Sequence, residues 1–152
     1  MSQQKSTPPI VRGGMDVLAL RLRPGADIRR DLTALAQREN IGAGMILGAV
    51  GSLSEVRLRF AGQDEPTLLM GRHEILTLSG TIASSGVHLH MNVADSQGVC
   101  RGGHVVEGCQ VFTTLEVAIA HLMGCQFDRL LDPMTGYPEL CVRQKREDVL
   151  QD

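Results

Sequence analysis

The sequence lacks several features of membrane, secreted and nucleic-acid-binding proteins. Tryptophan is absent and only 3% of the residues are aromatic, so the core must be built from aliphatic side chains and methionine. The longest apolar run, residues 45–50, is far too short to span a bilayer, and the N-terminal segment has no apolar region typical of a secretory signal. The net charge of −2 gives no overall attraction for polyanions, so non-specific nucleic-acid binding is expected to be weak.

The cysteines also lack a recognisable pattern. Cys100, Cys109, Cys125 and Cys141 are widely and irregularly spaced, and no two of them form a CxxC pair. Such spacing is more typical of reduced thiols in a cytoplasmic protein than of a disulfide framework. We therefore expect a soluble, cytoplasmic protein with free thiols.

The composition is that of one packed domain. The chain has 152 residues, of which 43% are hydrophobic and 21% are charged, as is normal for a soluble globular protein. Residues 1–14 are polar and contain Pro8-Pro9 and Gly13-Gly14, which predicts a flexible leader.

One helix is predicted after the turn at Pro24-Gly25. Asp27 suits the N-cap position, and Asn40 with Gly42 would end the helix. The apolar residues between them recur at helical spacing: Ile28, Leu32, Leu35 and Ala36.

The rest of the chain is predicted to be almost entirely β. The apolar run 45–50 predicts a buried strand, and residues 74–82 predict a strand with Leu76 and Leu78 on one face. Residues 87–93 alternate between apolar and polar side chains, which predicts a strand with one face in the core. The expected fold class is α+β, a mostly antiparallel sheet with one main helix packed on it.

Three histidines form the strongest candidate site. Side chains two apart on a strand point the same way, so His88 and His90 would project together, roughly 6.5–7 Å apart. His104 follows a turn and a Gly-Gly pair, where an antiparallel neighbour would return beside this strand. Three neutral imidazoles with an open position for water form a known catalytic zinc arrangement, in which the ion activates water or polarises a carbonyl.

Other interpretations stay open for these and similar residues. His88 and His90 would equally suit a polar strip that faces solvent or a subunit contact. His73 and His121 have no comparable partners, so we expect ordinary packed or surface histidines. Glu74 and Glu116 begin apolar strands and are candidate catalytic acids or bases if they lie near a metal, but solvated strand ends often carry such residues.

Six short motifs, in order, resemble the PPC (plants and prokaryotes conserved) domain, whose members are also called PD1-like DNA-binding proteins. The resemblance covers about residues 15–142, which leaves 143–152 as a polar tail. The motifs are Leu22-Arg23-Pro24-Gly25, Gly51-Ser52-Leu53, Gly71-Arg72-His73-Glu74-Ile75-Leu76, Ser79-Gly80-Thr81, His88-Leu89-His90, and Gly102-Gly103-His104 with Gly108-Cys109.

The resemblance implies an antiparallel α+β fold assembled as a homotrimer. The fold is also similar to that of acetolactate decarboxylase, which holds zinc with an HxH pair and a third downstream histidine, an order that His88, His90 and His104 match. Plant PPC proteins carry an AT-hook with an Arg-Gly-Arg-Pro core, whereas the nearest segment here is Val11-Arg12-Gly13-Gly14.

Two functional hypotheses follow. The first is a trimer with a three-histidine metal site, zinc being the expected metal, that binds or transforms a small anionic molecule. The second is a PD1-like DNA-binding or regulatory protein without an AT-hook. Neither hypothesis identifies a reaction.

Overall fold

The computed structural model describes residues 9–145, so residues 1–8 of the predicted leader and 146–152 of the predicted tail lie outside the described residues. In chain order the elements are β1 (Met15–Leu22), α1 (Ile28–Arg38), β2 (Gly44–Arg59), β3 (Thr67–Leu69), β4 (His73–Ala83), β5 (Gly86–Ala94), β6 (Cys100–Val105), β7 (Gln110–Leu122), β8 (Cys125–Leu131) and β9 (Pro138–Gln144). This order confirms the predicted α+β class. Within the described range, no helix is long and apolar enough to cross a membrane.

The helix forms as its sequence predicts. The Asp27 side chain accepts a hydrogen bond of 2.9 Å from the backbone N–H of Arg30, which satisfies a free donor of the first turn. The same carboxylate also accepts a 2.6 Å bond from the backbone N–H of Gly108, so the cap ties the helix to the sheet. The predicted apolar stripe is buried: Ile28, Leu32, Leu35 and Ala36.

The seven-stranded antiparallel sheet has the order β1-β7-β2-β4-β5-β6, with β3 added beside β2. The long strand β2 pairs with β4 near its start, and its last residues, Leu58 and Arg59, pair with Val105 and His104 of β6. The sheet therefore curls back on itself. Its concave, apolar face packs against α1 and forms the main core.

The opposite face of the sheet is apolar at one end and open to solvent. We call this whole face the open face, and we define its apolar part by five residues that are at least 45% exposed: Val17, Met45, Leu47, Val50 and Leu76. The prediction that residues 45–50 form a continuously buried strand was therefore wrong. Among the larger side chains of this run, only Ile46 points into the core. The opposite face of the sheet is not covered by any of the described residues 9–145, so Met45, Leu47 and Val50 are exposed.

The prediction that Leu76 and Leu78 share a face was also wrong. Leu78 is 4% exposed, whereas Leu76 is 51% exposed. A β-bulge shifts the register between Ile75 and Thr77, and an extra residue in a strand changes which face the following side chains occupy.

A separate hairpin of β8 and β9, connected by residues 132–137, was not predicted as strands. The hairpin is anchored by Phe127, which is buried with Ala43, Ala83 and Cys125 in a second, smaller core. Ser85 also donates a 3.2 Å hydrogen bond to the carbonyl of Phe127. The hairpin therefore lies against the end of β4, next to β5.

Candidate metal centre

Three histidines meet on neighbouring strands. One potential ligand nitrogen from each of His88, His90 and His104 lies within 4.8 Å of the others. The Nε2 atoms of His88 and His90 are 3.2 Å apart, close to the separation of about 3.3 Å expected for two ligands of a tetrahedral zinc ion. The ring centroids are 5.0–5.5 Å apart, so the three rings surround one point.

Strand register brings them together, as the sequence predicted. His88 and His90 alternate with buried residues on β5, and His104 on β6 lies directly opposite His90. Residues that are directly opposite in an antiparallel pair point to the same face. The register partner of His88 on β4 is Thr81, which in turn faces Met45 of β2, so the histidines lie on the polar end of the open face.

The surroundings of two of the imidazoles disfavour their protonated form. Burial lowers the pKa of His88, and the nearby Arg129 guanidinium and His90 lower it further. Burial, followed by His88 and Arg59, lowers the pKa of His104 to about 4. Neutral imidazole is the form that binds a metal ion. The donor set, its spacing and its protonation therefore fit a metal such as zinc, and the group could hold one.

An open cleft of about 520 Å³ lies beside the histidines. Three arginines line it from three different elements: Arg29 from α1, Arg59 from β2 and Arg129 from β8. The only acidic side chain among its lining residues is Glu139 of β9. A cleft with this charge balance can attract a small anion.

The sequence pointed to only part of this lining. Arg59 shares its strand with Arg57, but Arg57 lies against Gly108, and its backbone contacts the thiol of Cys109. Arg129 and Glu139 carried no sequence signal, because only the hairpin brings them to the histidines.

The two acidic candidates lie elsewhere in the subunit. Glu74 pairs with Ala94, four residues along β5 from His90, which corresponds to about 13 Å. Glu116 pairs with Val50 on β2, and two strands separate its own strand β7 from β5. Within one copy of the chain, the register does not bring Glu74 or Glu116 to the histidines.

The remaining two histidines have separate environments. His73 is 6% exposed, and its Nδ1 lies 3.0 Å from the carbonyl oxygen of Gly71. His121 lies on β7 opposite Asp16 and Gly44, and the strands β2 and β4 separate β7 from β5. Neither belongs to the three-histidine group.

Comparisons with known proteins give a family and a fold. The family model described as the Plants and Prokaryotes Conserved (PCC) domain matches residues 11–123. A curated protein named bifunctional protein GlmU, from Synechococcus sp. (strain JA-3-3Ab), is 45% identical over 139 residues, which is 91% of this chain and 22% of that protein. The chain thus spans about a fifth of the length of this relative.

Two solved structures cover nearly the whole chain. A hypothetical protein from Salmonella enterica has a TM-score of 0.87 and 40% identity, covering 90% of this chain and 99% of the other. The metal-containing protein AF0104 from Archaeoglobus fulgidus has a TM-score of 0.75 and 26% identity, covering 88% and 99%. The curled sheet and its helix are therefore shared with both proteins.

Proposed function

Because this chain belongs to the plants and prokaryotes conserved domain family, we propose that it is a PPC protein whose histidine site holds a metal ion and binds a small anionic molecule there. The observation that carries the proposal is the convergence of His88, His90 and His104 beside an arginine-lined cleft. The metal-containing relative from Archaeoglobus fulgidus, 26% identical, supports it. Zinc is the first candidate, since three imidazoles suit it well.

The histidines and the arginines of the cleft would have different roles. The three histidines would hold the ion, and Arg29, Arg59 and Arg129 would hold and orient an anionic group by charge-assisted hydrogen bonds. A bound zinc ion supplies a Lewis acid that polarises a carbonyl or activates water.

We also propose that copies of the chain assemble through the open face. The five residues that define the apolar part of this face are exposed in one subunit, and monomeric soluble proteins rarely leave such a surface uncovered. A homotrimer is the assembly that the family resemblance implies. If Glu74 or Glu116 acts as a catalytic acid or base, it would have to reach the histidines from a neighbouring copy.

The first test is the metal content of the purified protein and of a His88→Ala/His90→Ala variant. We expect near-stoichiometric zinc in the parent protein and loss of zinc in the variant. His121→Ala is the matched control, because it removes an imidazole from β7, which β2 and β4 separate from β5, and should keep the metal. Absence of metal from the parent protein, even after zinc is supplied, would refute the proposal.

DNA binding is the second candidate function. The arginines around the cleft are the feature that favours it, since guanidinium groups bind phosphates well. This function predicts affinity for duplex DNA at low salt that falls steeply as salt rises, because phosphate contacts release counterions. Fluorescence anisotropy with a labelled duplex at two salt concentrations tests it, and no binding at the lower salt would exclude it.

A further inference from the structure

The β8–β9 hairpin supplies one wall of the cleft and lies beyond residue 123, where the match to the family model ends. Arg129, Tyr137 and Glu139 line the cleft from this hairpin. Selectivity between ligands can therefore come from residues outside the matched part of the domain.

Arg129 is held in place next to the histidines. Its Nη2 donates a 2.7 Å hydrogen bond to Oγ1 of Thr81, the register partner of His88. The charge of Arg129 also reaches His88, whose pKa is lowered first by burial and then by this guanidinium. A guanidinium has five N–H donors, so the bond to Thr81 leaves others for a ligand.

Arg29 and Arg59 are anchored on the other side of the cleft. Arg29 donates to the carbonyl of Val105 at 3.2 Å, and Arg59 donates to the carbonyl of Gln63 at 3.4 Å. Both have charges that act on His104. The cleft thus has two separate positive regions, one from the hairpin and one from α1 and β2.

We infer that this site selects small dicarboxylates over monocarboxylates, and that Arg129 is the residue that recognises the second carboxylate. The inference rests on the proposed function, since the first carboxylate would bind the metal. The charged side chains that line the cleft have a formal sum of +2 before any metal binds, which favours a dianion. The volume of about 520 Å³ suits a small molecule.

Glu139 should act in the opposite direction. Its carboxylate lines the cleft and accepts a 3.0 Å hydrogen bond from Oγ1 of Thr135. Its negative charge also reaches His88, where it opposes the lowering of the pKa that burial and Arg129 cause. A fixed negative charge repels a second ligand carboxylate, so Glu139 limits the affinity for a dianion.

The test is isothermal titration calorimetry of the zinc-loaded protein with acetate, succinate and inorganic phosphate at constant ionic strength. We expect succinate to bind at least tenfold more tightly than acetate, and more tightly than phosphate, which is a compact anion. In Arg129→Gln, succinate binding should weaken roughly 10- to 100-fold while acetate binding changes little. In Glu139→Gln, succinate binding should strengthen roughly 2- to 10-fold.

Arg143→Gln is the matched control, because Arg143 belongs to the same hairpin but pairs with Asp128 and does not line the cleft. It should leave succinate binding unchanged. Equal affinities for acetate and succinate, or tighter binding of phosphate than of succinate, would overturn the inference even if zinc is bound. Metal content is measured separately for each variant, so failure of the metal site is distinguishable from failure of ligand selection.

Discussion

Replacing Gly80 with alanine should destabilise the protein and distort the metal centre. Gly80 lies on β4 with a φ of +143°, a conformation that L residues rarely adopt. A Cβ atom at this position would lie 2.0 Å from the carbonyl oxygen of His88 and 2.9 Å from Cα of Leu89. Both contacts involve backbone atoms of β5, so the strand that carries His88 and His90 would have to move.

The expected loss has two parts. Holding alanine in an unfavourable backbone conformation costs about 1–3 kcal/mol. Forcing the extra methyl group against a neighbouring backbone costs about 1–3 kcal/mol more. Together the free energy of unfolding should fall by about 2–6 kcal/mol, a large part of the 5–15 kcal/mol that is typical of a domain.

Urea denaturation followed by circular dichroism measures this loss, and zinc content measures the damage to the site. Gly98→Ala is the control, because Gly98 also has a positive φ of +79° but has open space around its missing Cβ. That variant should lose only the conformational part, about 1–3 kcal/mol, and should keep its zinc. Equal stabilities of the two variants would refute the argument that the contact with His88 matters.

Three further predictions address other parts of the molecule. Asp27→Ala should lower the free energy of unfolding, measured by urea denaturation, by about 2–4 kcal/mol, because it removes the acceptor for the backbone N–H groups of Arg30 and Gly108. Asp27→Asn keeps an acceptor oxygen and should lower the free energy of unfolding by less. At pH 8, iodoacetamide should modify the exposed Cys100 quickly and the buried Cys109 slowly. Burial raises the pKa of Cys109 to about 11, so only about a thousandth of its thiol groups are thiolates at this pH. Mass spectrometry of timed samples measures the two rates, and equal labelling of both cysteines would contradict the prediction. Val50→Asp should convert the assembled protein to monomers in sedimentation velocity by placing a charge on the open face, whereas an unchanged sedimentation coefficient would argue against assembly through that face.

The parts of the fold that depend on local periodicity could be predicted from the sequence. The helix was found because its apolar residues recur at helical spacing and Asp27 precedes them. The histidine pair was found because His88 and His90 alternate with buried residues along a strand. The position of His104 opposite His90 followed from a tight turn between adjacent strands, which fixes register at short range.

Features that depend on distant parts of the chain could not be predicted in this way. The bulge that exposes Leu76 arises from the pairing of β4 with β5 and leaves no periodic signal in β4. Arg29 and Arg59 meet at the cleft only because the end of β2 pairs with β6 and α1 packs on the same sheet. Arg129 reaches it only because Phe127 anchors the hairpin in a second small core.

The polar and apolar parts of the open face lie side by side on the same strands, so the proposed assembly would take place next to the site. Met45 on the apolar part faces Thr81, and Thr81 faces His88. Copies of the chain that pack on the apolar part, as we propose, would place Glu116, the register partner of Val50, in the contact between them. A monomeric Val50→Asp variant that still binds zinc would show that the three histidines suffice for the metal. Comparing its succinate affinity with that of the parent protein would then isolate what a neighbouring copy contributes to the proposed ligand site.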